Sequence, residues 1–316
     1  MKTAWAFWDF GSAAFNAVLV TFIFSVYLTD SVGSQINAGQ TPSFYYSIAL
    51  AVAGAAIALV APMMGQRADA HGTRRRSLVV WTLVTIALMA CLFLVRNDAP
   101  VWFWVGITVM AVASVTFEFA EVNYFAMLNQ IATRATVGRI SGIGWALGYV
   151  GGIVVLLLCF VLFVSGDGGV FGLPTDGGLN IRLVTLFAAA WFLASALPLF
   201  LRAPTASATG ERLSWAGSYR KLWATLKRLW VHERNTAYFF IASAVFRDGL
   251  AGVFTYGAIL AVAVYGLTSG DVLIFGVAAN VVAATGAAAG GWLDDKVGPK
   301  PVIMGSLLAM IVVAAV

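Results

Sequence analysis

Long apolar runs separated by short polar loops make up almost the whole chain. Crossing a hydrocarbon core of about 30 Å takes about 20 apolar residues in a helix. Nine segments read this way: Trp5–Leu28, Phe44–Met64, Ser77–Val95, Val101–Asn123, Ile140–Val164, Arg182–Leu201, Thr236–Tyr265, Val272–Leu293 and Val302–Val316. Between the sixth and seventh, Trp215, Tyr219, Leu222, Leu226, Leu229 and Trp230 recur at three-to-four spacing. Arg212, Arg220, Lys221, Lys227 and Arg228 fill positions between them. That pattern predicts an amphipathic helix in the membrane interface, with its aromatics toward the acyl chains and its basic groups toward lipid headgroups. A calmodulin-type target has the same pattern.

The polar punctuation repeats. Gly65-Gln66-Arg67-Ala68-Asp69-Ala70-His71-Gly72-Thr73-Arg74 separates the second and third segments, and Gly291-Trp292-Leu293-Asp294-Asp295-Lys296-Val297-Gly298-Pro299-Lys300 separates the eighth and ninth. Each copy has Gly, then Asp four positions on, Gly at seven and a basic residue at nine. The copies lie six helices apart, so the repeating unit is a six-helix bundle and the duplicate implies twelve helices. The last segment, about 15 residues, covers roughly 22 Å of the core. The repeat therefore predicts a longer ninth helix and three more beyond Val316. The expected organisation is a six-helix half over 1–201, a linker over 202–235 and the first three helices of a second half over 236–316.

Composition agrees with an all-α polytopic membrane protein: 61% of residues are hydrophobic and 10% charged, against about 25% charged in soluble domains. The net charge of +5 sets topology. With the N-terminus in the cytoplasm, every basic residue except Arg96, Arg182 and Arg247 lies inside, as the positive-inside rule requires. Nucleic-acid binding is not indicated. Cys91 and Cys159 sit alone in apolar segments, and His71 and His232 lie in loops without metal-ligand spacing. No cofactor, metal or nucleophile–base pair is expected, so an enzyme is disfavoured.

Ionisable residues inside spans are candidates for function, because burying charge in lipid costs several kcal/mol. Arg247 and Asp248 fall near the middle of the seventh segment. Arg247 suits a solute carboxylate; Asp248 suits an amine or a proton. Asp9, with Asn16 two turns later, is placed similarly in the first segment, and Asn280 lies near the centre of the eighth. These five are the candidate substrate and coupling residues; pairing between helices is the structural alternative. Glu118 and Glu121 share a face near the inner end of the fourth segment, where Arg67, Arg74 or Arg139 could pair with them. With Gly65, Asp69, Gly72, Arg74, Arg139, Gly291, Asp295, Gly298 and Lys300 they form the candidate cytoplasmic gate. In that gate the glycines permit close approach and tight turns. The carboxylates can face a helix N-terminus or an Arg, and the basic residues anchor at the leaflet. Gly144, Gly148 and Gly152 form a ladder for helix packing on the fifth segment.

The paired loops resemble the signature of the major facilitator superfamily, with Ala70 and Thr73 standing where basic residues are usual. Four stretches resemble its vacuole-effluxer-like branch, related to the fungal autophagy permease: Ala4–Phe15, Gly138–Tyr149, Arg247–Gly249 and Gly291–Asp295. Arg247 replaces an Asn usual in that branch, and Tyr149 after Gly148 departs from the antiporter-type Gly-Pro motif. The resemblance implies two pseudo-symmetric six-helix halves around a central cavity. It also implies amino-acid efflux as a pointer to substrate. The expected function is secondary active transport of a small polar solute by a monomer in a bacterial inner membrane, with lipids around it and protons as a candidate coupling ion. The alternative is a non-transporting sensor or assembly scaffold.

Overall fold

The computed structural model describes residues 1–36, 39–204, 214–263 and 269–315; the side chains of residues 35, 69, 167, 215, 251–263, 269–276, 314 and 315 lie outside that description. Among the described residues there are helices and no strands. The chain runs through α1 (Lys2–Val32), α2 (Pro42–Ala70), α3 (Arg74–Cys91), α4 (Val101–Ile131), α5 (Val137–Cys159), α6 (Leu179–Arg202), α7 (Trp215–His232), α8 (Arg234–Ala263), α9 (Ser269–Val297) and α10 (Pro299–Ala315). Six helices among the described residues are long and apolar enough to cross a membrane, the first six of this series with their terminal turns. α8, α9 and α10 stand where the seventh, eighth and ninth segments are expected, with 30, 29 and 17 residues. The chain is an integral membrane protein.

Two compact units divide the chain by packing: residues 1–209 with 283–316, and residues 210–282. In the first unit the core is aromatic. The Tyr124 ring lies between two indoles, with Trp5 at 4.3 Å and 5° on one side and Trp8 at 4.3 Å and 23° on the other. Phe192 meets Trp8 edge-on, and Phe117 stacks against both Trp8 and Phe15. Pairs of this kind add about 0.5–1.5 kcal/mol each beyond area burial. The indole N–H groups are not wasted: Trp5 Nε1 donates to the Tyr124 carbonyl at 3.0 Å and Trp8 Nε1 to Thr82 Oγ1 at 3.2 Å. α1, α3, α4 and α6 are thereby fixed to one another.

α1 is not uniform. It widens to π turns over Phe15–Phe22 and again over Tyr27–Val32. Ile23 N–H reaches back five residues to the Val18 carbonyl at 3.1 Å. Turns of this kind are enriched at functional sites, and exposed Asn16 lies in the first of them.

At the end of the helices away from the repeated loops, side chains bond to exposed carbonyls. Buried Arg182 donates from Nε to Phe93 O at 2.6 Å and lies 4.7 Å from the Phe93 ring centre. Tyr27 Oη donates to Val95 O at 3.3 Å, and Asn180 Nδ2 to Phe163 O at 3.1 Å. These bonds satisfy carbonyls that helix ends leave orphaned.

Candidate functional site

Each copy of the repeated loop ends its helix on a left-handed glycine. Gly72 follows α2 with φ +65°, and Gly298 follows α9 with φ +88°. A side chain is strained in that conformation, whereas glycine is not. Thr73 N–H closes the first turn on Ala68 O at 2.9 Å, and Gly298 N–H the second on Asp294 O at 2.9 Å.

Beyond the turns the copies differ. The N-terminus of α5 has Thr136 in the capping position, but its side chain makes no cap bond. The Thr136 hydroxyl instead accepts from Thr133 N at 3.1 Å and pairs with Thr133 Oγ1 at 3.0 Å. The orphan donors of α5 are taken by Asp295 from the second loop. Its Oδ1 accepts Gly138 N–H at 2.8 Å and its Oδ2 accepts Arg139 N–H at 3.0 Å. A carboxylate there is favoured both by the bonds and by the positive end of the helix dipole.

Glycines make this approach possible. A Cβ on Gly142 would strike the Ala287 carbonyl and sit 2.9 Å from Gly291 Cα; one on Gly291 would strike the Gly138 carbonyl. A Cβ on Gly138 would sit 2.6 Å from Gly291 O. α5 and α9 therefore cross at backbone contact. A cavity of about 410 Å³ opens beside the crossing, lined by Ser141, Trp145, Gly286, Gly290, Asp294 and Val302 among others. Lys296 caps the Trp292 ring at 3.7 Å, and Lys300 is exposed.

The first copy has no such cover over its glycine. A Cβ on Gly65 would meet only Val122 Cγ1, at 3.4 Å. Gly65 lines a cavity of about 460 Å³ between α2 and α4, with Pro62, Gln66, Arg74, Asn123 and Ala126 also in its wall. Arg74 Nη1 donates to Ala126 O at 2.7 Å, tying the loop to α4. The Asp69 side chain lies outside the described residues, as do Arg212 and the Trp215 side chain.

Of the other expected residues, Asp9 is brought to α5. Its carboxylate lies across Gly148, with Oδ2 3.1 Å from where a Cβ would stand, and Ser12 Oγ donates to Asp9 O at 3.1 Å. The ladder on α5 faces α1, but its third tight rung is Gly151 rather than Gly152. Gly151 abuts the Phe10 backbone, whereas a Cβ on Gly152 would make an ordinary contact of 3.6 Å with Ala13. Spacing of four then three follows the 3.6-residue period; two steps of four drift off the face.

α4 runs on to Ile131, eight residues past the expected boundary. Glu121 is thus ten residues from its end, about 15 Å of rise, and both Glu118 and Glu121 lie farther from the helix end than expected. On α5 the Tyr124 hydroxyl lies against Gly144, 3.3 Å from where a Cβ would stand, one turn from the place where Asp9 lies against Gly148. The Tyr124 hydroxyl is buried and has no hydrogen-bond partner among the described residues. Sequence reading missed Tyr124, since a tyrosine in an aromatic-rich span carries no signal of its own. In the second unit, Arg247 and Asp248 are exposed on α8, and Asn280 is half-buried on α9.

Two comparisons with known proteins bear on the family. A family model described as "Vacuole effluxer Atg22 like" matches residues 129–316, more than half of the chain. The chain is also 23% identical over 318 aligned positions to an uncharacterized MFS-type transporter, YxiO, of Bacillus subtilis (strain 168). That alignment covers 98% of this chain and 72% of the relative.

Proposed function

The chain belongs to the vacuole effluxer Atg22-like family of the major facilitator type, and we propose that it is a secondary transporter that moves a small polar solute by alternating access. The observation that carries this reading is the Asp295 cap on α5. It joins an element of the first repeat to the loop of the second, through two hydrogen bonds and a glycine crossing. A cap of this kind is worth about 0.5–2 kcal/mol, with up to about 2 kcal/mol from the helix dipole in a partly buried setting. That biases two conformations by about twofold to several hundredfold, short of locking one. A latch in an alternating-access cycle needs this range.

Asp9 is the proposed coupling carboxylate. Its carboxylate lies against Gly148 of α5, one turn from Gly144, where the Tyr124 hydroxyl lies. A proton moving onto Asp9 would remove a charge whose burial in a span is costly. Asn16 in the widened turn offers an amide to the solute. Arg247, Asp248 and Asn280 are assigned to solute recognition by their chemistry: guanidinium for carboxylate, carboxylate for ammonium, amide for either. An amino acid carries both groups and is the proposed class of solute. Gly65, Asp69, Gly72, Arg74, Glu118, Glu121 and Arg139 with Gly291, Asp295, Gly298 and Lys300 are the proposed gate, facing the cytoplasm of a bacterial inner membrane.

The test is uptake of labelled amino acids and other small polar solutes into proteoliposomes, with and without an imposed pH gradient. Gradient-dependent flux of at least one solute, lost in Asp9→Asn, is expected. No flux for any member of a broad panel would overturn the reading.

A further inference from the structure

The linker helix α7 carries net basic charge and no acidic residue between Trp215 and His232. Its positions can be sorted by burial. Ser218 is buried and Leu222, Thr225 and Leu229 are half-buried, so these face protein. Tyr219, Trp223, Leu226 and Trp230 follow at steps of four, three and four. They form a second stripe, and three of them are 72%, 49% and 54% exposed, in the order Trp223, Leu226, Trp230. On a helical wheel of 100° per residue the exposed stripe lies beside the protein-facing one, and Arg220 and Lys227 border its open edge. Arg228 and Lys221 lie on the far side of the protein-facing stripe. The sequence pattern alone merged the two apolar stripes into one face.

An exposed row of two tryptophans, a tyrosine and a leucine, edged by guanidinium and ammonium groups, is not a surface that water favours. Its residues are those that settle at the headgroup level: aromatic rings with one polar edge, and long basic side chains that reach past them. We infer that this stripe docks on the bilayer surface next to the linker, with Arg220 and Lys227 engaging the phosphates of anionic phospholipids. The inference rests on the chain being an integral membrane protein and is independent of what it transports. Each basic residue held near an anionic surface is worth about a fivefold gain in surface occupancy, so headgroup charge decides whether the stripe stays down.

The test uses the whole protein in nanodiscs, with Cys91 and Cys159 replaced by Ser and one spin label introduced. Leu226→Cys reports the exposed stripe and Ala224→Cys the side away from it. Collision with oxygen, which concentrates in lipid, is compared with collision with a nickel chelate, which stays in water. In discs of phosphatidylcholine with phosphatidylglycerol, the Leu226→Cys label should favour oxygen and the Ala224→Cys label the chelate. Removing phosphatidylglycerol, or substituting R220Q with K227Q, should shift the Leu226→Cys label toward the chelate. Substituting R228Q with K221Q should shift it less. A label shielded from both reagents would mean that protein covers the stripe, and would overturn the inference. So would a label that stays in lipid to the same degree with neutral discs and with R220Q/K227Q.

Discussion

Asp295 caps α5 through Gly138, 157 residues before it in the chain: its Oδ1 accepts the Gly138 N–H at 2.8 Å, in the place that the cap residue of α5 leaves empty. The bond depends on charge as well as on geometry. Asp295→Asn keeps one acceptor oxygen, loses the bond from Arg139 N–H because its NH2 cannot accept, and loses the interaction with the helix dipole, so it should weaken the α5–α9 contact by about 1 kcal/mol. Asp295→Ala loses the remaining acceptor too and should cost about 0.5–2 kcal/mol beyond that. Thermal unfolding in detergent should rank the two in that order below the parent protein. Equal melting temperatures for all three would show that the cap carries no energy.

Neighbouring glycines should respond oppositely to an added methyl group. Gly291→Ala pushes a Cβ into the Gly138 carbonyl, while Gly290→Ala meets nothing within 4 Å. Overpacking of this kind costs about 1–3 kcal/mol, and the backbone on both sides of the crossing has little room to yield. The same contrast holds on the other face of α5, where Gly151→Ala abuts the Phe10 backbone and Gly152→Ala does not. Gly290→Ala and Gly152→Ala should fold and transport normally. Gly291→Ala should favour the conformation in which α5 and α9 part, measured as faster modification of Ser141→Cys by a water-soluble maleimide.

Tyr124→Phe separates fold from function at one atom. The hydroxyl has no hydrogen-bond partner among the described residues, and a buried donor left unmet costs about 1–3 kcal/mol. Removing it should leave the melting temperature unchanged or raise it, since the Trp5 and Trp8 stacks need only the ring. If the hydroxyl serves Asp9 during transport, flux in Tyr124→Phe falls while stability does not. Tyr124→Ala should instead lose about 3–5 kcal/mol, as large aromatic truncations do.

Arg182→Met keeps the length and apolar stem of the side chain and removes the donor to Phe93 O. That carbonyl lies in the short turn Leu92–Leu94 after α3, which Val95 N–H closes on Leu92 O instead, and Arg182 is only 7% exposed. A loss of about 1–3 kcal/mol is expected from the orphaned carbonyl. Hydrogen exchange should rise at the end of α3, with little change at the Asp295 cap.

Helix positions were legible in the sequence because the apolar runs are long and the loops between them are short. Helix ends were less so. α4 continues past Asn123 through a stretch whose polar residues still lie on a helix, and the early boundary put Glu118 and Glu121 too close to the helix end. The loop repeat was legible as a pattern, and the second glycine of each copy, Gly72 and Gly298, does hold positive φ. The anchor of its second Asp was foreseen only as a choice between two types of partner, a helix N-terminus or an Arg. Which helix it is depends on a contact across 157 residues, and no local period carries such information. Gly138 and Gly142, which make that contact, are spaced like any packing pair. Gly151 was passed over for Gly152 because steps of four look regular in sequence, while the real face follows 3.6.

The central claim is that the Asp295 cap is a latch that opens and closes in transport. Spin labels at Arg134→Cys, just before α5, and Lys300→Cys, at the start of α10, report its span, because both positions are exposed and lie beside the cap. Pulsed electron–electron distance measurement in nanodiscs should give two populations. The longer one should grow several-fold in Asp295→Asn, and their ratio should move when a transported solute is added. A single distance distribution, unchanged by Asp295→Asn and by every solute that the protein carries, would contradict the account.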